Sequence, residues 1–324
     1  MINTNINMDI DTSIEKKQAD DPNKYYSGAA CLKIVLDYEG FNTYTQDQLH
    51  NYAVARNELT DQNACIDPKG MQLAMNNFEI DGDYNYGWEK YTSLETMYDR
   101  ICYWMAYDVP GVAPRPQKMP AMIPLNGNYM DWVVVNGYST DEDPYTSTNY
   151  TINGFWITDP EVTGIGKNIY ITAEELGTYY KKIVSDDSFN GYYAAVMEPP
   201  MVEPAEVKIA KAAAYPGFKG DEKSIKAAAI AGLNNLLKNK QLKSAYQGCK
   251  PGKPICAAKG KDNYFIVPFT KNNGCSVAVI IDGKTGAFRQ ASYNDVPDKQ
   301  YLGKFGTGKK SKNTCKLKNS FVPN

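Results

Sequence analysis

Apolar residues recur at helical spacing at Ala30, Cys31, Ile34, Val35 and Tyr38, and Gly40 closes the run. The pattern predicts a helix opening at Ser27, inside the stretch YYSGAAC (25–31). A second helix is expected in TYTQDQLHNYAVAR, where Thr45 and Gln48 have the spacing of a capping box. A third, short one fits KGMQLAMNNF, and a fourth runs from about Thr92 to Tyr107 with Thr92 and Glu95 as its box. After APRPQKMP the period changes. Strands are expected at AMIPL (121–125), DWVVVNGY (131–138), GFWIT (154–158), NIYIT (168–172) and YYAAVME (192–198). Thr172 and Glu175 start a further helix, AEELGTYYKKI (173–183).

A second unit follows PPMVEPAEV, a linker placed at 199–210. It opens with a helix of about 25 residues from Asp221, lined by Ile225, Ala229, Leu233, Leu236 and Leu237. Strands are expected at YFIVPF (264–269), CSVAVIID (275–282) and AFRQASY (287–293), with a turn at DGKTG (282–286). Helices precede an antiparallel sheet in the first unit, and a helix faces a small sheet in the second. That is an α+β arrangement: a polar arm (1–17), a first domain (18–198), the linker, and a second domain (211–324).

Charge sharpens the division. Residues 1–204 carry 13 Lys and Arg against 30 Asp and Glu, a net of −17. Residues 205–324 carry 22 against 7, a net of +15. One half attracts cations and the other anions, and the head of one copy attracts the tail of another. The basic patch is densest at Lys304, Lys309, Lys310, Lys312, Lys316 and Lys318, in a tail expected to be mobile. The composition, 43% hydrophobic and 22% charged, is that of a globular chain. No run of 18 apolar residues exists to span a membrane, and the polar start MINTNINMDIDTS lacks a signal-peptide core. A cytoplasmic chain, or a mature one whose leader has been removed, fits this.

Cys249, Cys256, Cys275 and Cys315 fall in the basic half, where four cysteines in a small domain suggest disulfides and an oxidising compartment. Of the three possible pairings, 249–256 with 275–315 is the one expected. The spacings match no zinc finger or ribbon, and no metal or other cofactor is expected. DIDTS, DGDYNYG and DEDP are too poor in ligands for a calcium loop. GTGKK lacks the context of a phosphate loop. Asn149 begins an acceptor sequon. The 25 tyrosines, several in loops such as DYNYGWEKY, suit carbohydrate or protein contact as well as ordinary packing.

Five separated elements carry a resemblance over roughly residues 15–198: Gln18, YYSGAA (25–30), QDQL (46–49), DWVVVNGY (131–138) and INGFWITDP (152–160). In that order they resemble the papain-like peptidases of the bacteriocin-processing, double-glycine leader type. The resemblance implies a papain-like domain. It places the nucleophile position on Ser27, the histidine position on Asp131, the orienting acid on Asp159 and the oxyanion-hole position on Gln18. The family's proline is Ala29. In the second unit, YFIVPFTKNNGCSVAVIIDGKTGAF is similar to helix-plus-hairpin units such as PepSY-like modules, which implies a non-catalytic accessory module.

The chemistry of the matched positions is incomplete. A thiolate at a helix N-terminus is stabilised by the dipole and a neighbouring imidazolium. A serine needs a base. The one histidine of the chain, His50, stands in a different element, so Ser27, Asp131 and Asp159 offer two carboxylates and no imidazole. Neither carboxylate is a good base for serine near pH 7. No active catalytic residue is expected. Two departures, at the nucleophile and at the base, favour natural loss over an introduced Cys-to-Ser change. Ser27 also fits as an ordinary helix N-cap, worth about 1 kcal/mol. Cys31 fits as a core residue, His50 as a surface or half-buried helix residue, Asp131 as a strand end at a pocket mouth, and Asp159–Pro160 as the start of a turn.

The expected function is therefore that of a non-catalytic, peptidase-like protein of extracellular or cell-surface structure, assembling with itself through its acidic and basic halves into rings or filaments. An alternative is a cell-surface binding module that holds a peptide, glycan or anionic envelope polymer in the former substrate cleft. A third is a peptidase inactivated by substitution of its nucleophile. Nucleic acid is an improbable partner, because aromatic residues are scarce in the lysine-rich tail.

Overall fold

The computed structural model describes residues 4–8, 10, 25–59, 65–78, 86–106, 119–161, 168–197, 206–242, 244–259, 262–271 and 274–298. In chain order the elements are β1 (Thr4–Asn7), α1 (Ser27–Tyr38), α2 (Gln46–Val54), α3 (Pro68–Phe78), β2 (Gly87–Tyr91), α4 (Leu94–Ala106), β3 (Ala121–Pro124), β4 (Trp132–Thr140), β5 (Asn149–Thr158) and β6 (Ile169–Thr172). They continue with α5 (Ala173–Leu176), β7 (Tyr193–Met197), β8 (Glu206–Ile209), α6 (Glu222–Lys238), a 3-10 turn (Ser244–Tyr246), β9 (Lys250–Pro251), β10 (Ile255–Lys259), β11 (Asp262–Lys271), β12 (Gly274–Asp282) and β13 (Phe288–Asp298). The fold is α+β, with helices first and an antiparallel sheet after them, as the periodicity predicts.

Local chemistry sets several boundaries. The capping box of α2 forms in full: Thr45 Oγ1 accepts from Gln48 N at 3.3 Å, and Gln48 Oε1 accepts from Thr45 N at 2.9 Å. In α4 the cap lies one residue later than expected, since Ser93 Oγ accepts from Thr96 N at 3.3 Å. The helix expected over 173–183 is a single turn. Beyond Gly177 its backbone groups are taken by neighbours: Tyr179 O accepts from Asn126 N at 2.7 Å, and Ile183 N donates to Tyr192 O at 2.8 Å. Helix α6 has 17 residues rather than about 25. It ends in a Schellman motif, with Gln241 N on Leu236 O at 2.8 Å, Lys240 N on Leu237 O at 3.2 Å, and Lys240 left-handed at φ 56°.

In the first half, two segments read as irregular are strands. The polar arm contains β1, which pairs antiparallel with the C-terminal half of β4, Ile6 opposite Tyr138 and Asn7 opposite Gly137. A Cβ at Gly137 would lie 2.3 Å from Ile6 O, so only glycine permits this approach. The stretch GWEKY, part of a tyrosine-rich loop in the sequence reading, forms β2.

The strands join in one sheet in the order β10-β11-β12-β13-β6-β5-β4-β3-β7-β2, with β1 on β4, β8 on β5 and β9 on β11. The linker expected at 199–210 contains a strand, β8, which pairs parallel with β5, Thr151 opposite Lys208 and Ile152 opposite Ile209, and the sheet also joins the two halves through β13 and β6, Gln290 opposite Ile171 and Ala291 opposite Tyr170. One face carries the stripe Val134, Thr158, Trp156, Tyr170, Ala291, Val279 and Val267, each opposite or two residues from the last. Helices α1, α2 and α3 cover the Val134 end, and α6 covers the Trp156–Val267 end. The other face, with Val135, Ile157, Ile171, Ile280 and Ile266, packs under α4 and joins both halves in one core.

Cys249 is a free thiol, so the expected 249–256 bridge is not made. The register explains why. β9 and β10 pair with opposite ends of the same edge of β11, Lys250 opposite Thr270 and Cys256 opposite Phe265. That places the two cysteines about 20 Å apart along the strand, against the roughly 7 Å limit for a disulfide. Cys275 lies in β12; Cys315, the six tail lysines and Gln18 lie outside the described residues.

Candidate functional site

The first turn of α1 sits on the entry to β4. Ser27 is the first residue of the helix and not its cap; the N-cap position is Tyr26, which makes no side-chain cap bond. The ring of Tyr26 instead stacks on His50, centroids 4.5 Å apart, and its hydroxyl donates to Asp47 Oδ1 at 2.6 Å. His50 is buried, not on the surface or half-buried as expected. The capping role expected of Ser27 is therefore corrected. The Ser27 side chain is fully buried; its Oγ donates to Met130 O at 2.8 Å and accepts from Trp132 N at 3.1 Å. These backbone groups lie just where β4 begins, and the hydroxyl satisfies both.

Asp131 stands between those two residues, half-buried. Its Oδ2 accepts from Asn126 Nδ2 at 3.0 Å and its carbonyl accepts from Leu125 N at 2.8 Å. It has the strand parity of Val133, which belongs to the core on the opposite face from α1. Asp159 follows β5 and is buried. Its Oδ1 accepts from Glu161 N at 2.8 Å, the bond of a side-chain-closed turn, as the Asp159–Pro160 pair predicts.

One turn along α1, Cys31 is buried in the core, and its Sγ donates to Trp132 O at 3.3 Å. Burial pushes its thiol well above the ordinary value, and the carboxylates of Asp159, Asp131 and Glu161 add to the rise. A reactive cysteine needs the reverse, a positive environment and access.

The structure thus brings Ser27, Asp131 and Asp159 to the α1–β4–β5 corner without making them a relay. The Ser27 proton is held by a carbonyl, and its acceptor site is filled by an amide. What this arrangement does is pin the helix to the strand.

Beside the corner, the same sheet face carries a polar layer that the sequence reading missed. Asn136 Nδ2 donates to Asn168 Oδ1 at 2.8 Å and to Asn7 Oδ1 at 3.3 Å, and its Oδ1 accepts from Thr158 Oγ1 at 3.3 Å. The one signal for it is the asparagine that interrupts the apolar run WVVVNGY. Among the described residues, no cluster of three or more His, Cys, Asp or Glu is placed to hold a metal ion, and no helix is long and apolar enough to cross a membrane. Comparison of the chain with protein-family models, with curated proteins and with solved structures finds no match.

Proposed function

We propose that the chain is a non-catalytic, peptidase-like structural protein that assembles with copies of itself head to tail, in a role outside the cell or at its surface. The observation that carries the reading is the position of the two ends of the main strand order. Strand β2 ends the sheet on one side and β10 on the other; among the described residues, each pairs with one neighbour. β2 belongs to the half with net charge −17 and β10 to the half with +15. An open edge is a template for another strand. The two edges are different surfaces, so a contact between them is heterologous and runs on as a filament or closes as a ring. Opposite charge steers the encounter, and salt screens it.

The Ser27 geometry supports the non-catalytic part, because the hydroxyl is committed to backbone groups. It also weighs against a ligand held in the former substrate cleft, since Ser27 is 0% and Asp159 4% exposed. Electron microscopy and light scattering of the purified chain at low and high salt test the proposal. Oligomers or filaments at low salt that dissolve at high salt are expected. Monodisperse monomers at every salt concentration would overturn it.

A further inference from the structure

Ten strands lie on the path from β10 to β2, and each of the nine pairings between them is antiparallel. Direction reverses at every step, so after nine reversals β2 runs opposite to β10. A second copy, advanced along the strand order without being turned over, therefore brings its β10 beside β2 of the first in the antiparallel sense. An odd number of strands would have set the two ends parallel.

The faces agree as well. In β2, Tyr91 packs against the core under α4 and Trp88 against the core under α1–α3. Glu89 shares the face of Tyr91, and Lys90 that of Trp88. In β10, Ile255 and Ala257 belong to the core under α4. Cys256 has the other parity; it stands opposite Phe265, which packs against the core under α6. Both strands have five residues, and neither contains a proline. Full antiparallel overlap sets Glu89 opposite Ala257, Tyr91 opposite Ile255 and Lys90 opposite Cys256. That one register also matches the faces, and it gives Tyr91 and Ile255 the favourable aromatic and β-branched pairing. We propose that β2 of one copy pairs with β10 of the next in this register, so that the assembly is one continuous antiparallel sheet whose strands lie across the filament axis. This rests on the head-to-tail reading above and names its joint. The joint is one more step of the common strand twist, so successive copies are related by a screw. Ten strands at about 4.8 Å give an axial repeat of about 48 Å per copy.

Two single variants of the full chain, Glu89→Cys and Ala257→Cys, test the joint when mixed at low salt, oxidised and digested. Each carries one half of the pair, so a peptide linking position 89 to position 257 forms only between chains. That link is expected. Glu89→Cys mixed with the unaltered chain should not link to Cys256, which has the other face. Diffraction from aligned filaments of the unaltered chain gives a reading free of any substitution: an axial reflection at about 4.8 Å and a repeat of about 48 Å are expected. Assembly without the 89–257 link, a Glu89→Cys link to Cys256, or filaments lacking the 4.8 Å axial spacing would each overturn the joint and leave head-to-tail assembly standing. Monomers at every salt concentration would overturn both.

Discussion

The hydroxyl of Ser27 donates to the carbonyl of Met130 at 2.8 Å and accepts the amide proton of Trp132 at 3.1 Å, so one side chain bridges the two peptide groups that flank Asp131. The side chain acts as a fastener between helix and strand. Ser27→Ala leaves both backbone groups buried and unmade, and should cost about 1–3 kcal/mol in urea unfolding. An unchanged midpoint would show that the bridge contributes nothing. Turnover of a peptide library that appears only in the double variant Ser27→Cys with Asp131→His would identify decayed peptidase ancestry.

Gly137 governs whether β1 stays on the sheet. A Cβ there meets Ile6 O at 2.3 Å and Asn7 Cα at 2.9 Å. Gly137→Ala should therefore displace residues 4–7 and expose their amides to rapid hydrogen exchange, while α1 and β3 keep their protection. Unchanged exchange at 4–7 would refute the steric argument.

A buried ionic cluster holds α4 to β5. Arg100 and Asp99 pair at 3.0 Å with both side chains buried, and Tyr150 OH donates to Asp99 Oδ1 at 2.7 Å. Burial, then the Cys102 and Asp99 charges, push the tyrosine far above its ordinary value. Asp99→Ala leaves the guanidinium buried without its carboxylate and should cost about 3–5 kcal/mol. Tyr150→Phe should cost less, about 1–2 kcal/mol. Chemical denaturation of both variants checks the order; a Tyr150→Phe loss larger than that of Asp99→Ala would contradict it.

The two halves are also tied by Arg289 of β13, which reaches Glu175 Oε2 at 3.3 Å and Asp282 Oδ2 at 3.1 Å. Burial pushes Asp282 up, but bonds from Thr285, Arg289 and the Lys284 amide outweigh it and hold the carboxyl below its ordinary 3.8. A lowered folded value means that the unfolded chain takes up the proton first as pH falls. The stabilisation is present above 3.8 and is lost as pH drops through the folded value. Glu175 runs the other way: burial raises it, Arg289 only partly offsets this, and its ionisation costs stability as pH rises past its ordinary 4.5. Asp282→Asn should therefore flatten the acid limb of the stability–pH curve, and Glu175→Gln should remove part of the decline above 4.5. Thermal unfolding across pH 2–7 measures both; wild-type curves in both variants would contradict the assignment.

Features governed by near neighbours in the chain were legible in the sequence. Helices α1 to α4 follow from their 3.6 period, the α2 box from Thr45 and Gln48, and β4, β5, β11 and β12 from their apolar runs. The α+β class follows from the order of those elements. Ser27, Asp131 and Asp159 sit at or next to element ends, which local pattern marks.

What Ser27 does there was decided only when strand β4 came beside it: a serine at a helix start reads as a cap until another backbone offers it a better pair of partners. The same holds for β1, whose polar sequence has no strand period to show and which is a strand because Gly137 lets it approach β4. It holds for α5, cut to one turn because tertiary bonds claimed the next backbone groups. Cys249 and Cys256, seven residues apart in the chain, were separated by the register of β11. Short-range hydrogen bonding and periodicity are written in consecutive residues. Pairing, register and shared grooves depend on contacts whose two members the chain itself does not place side by side.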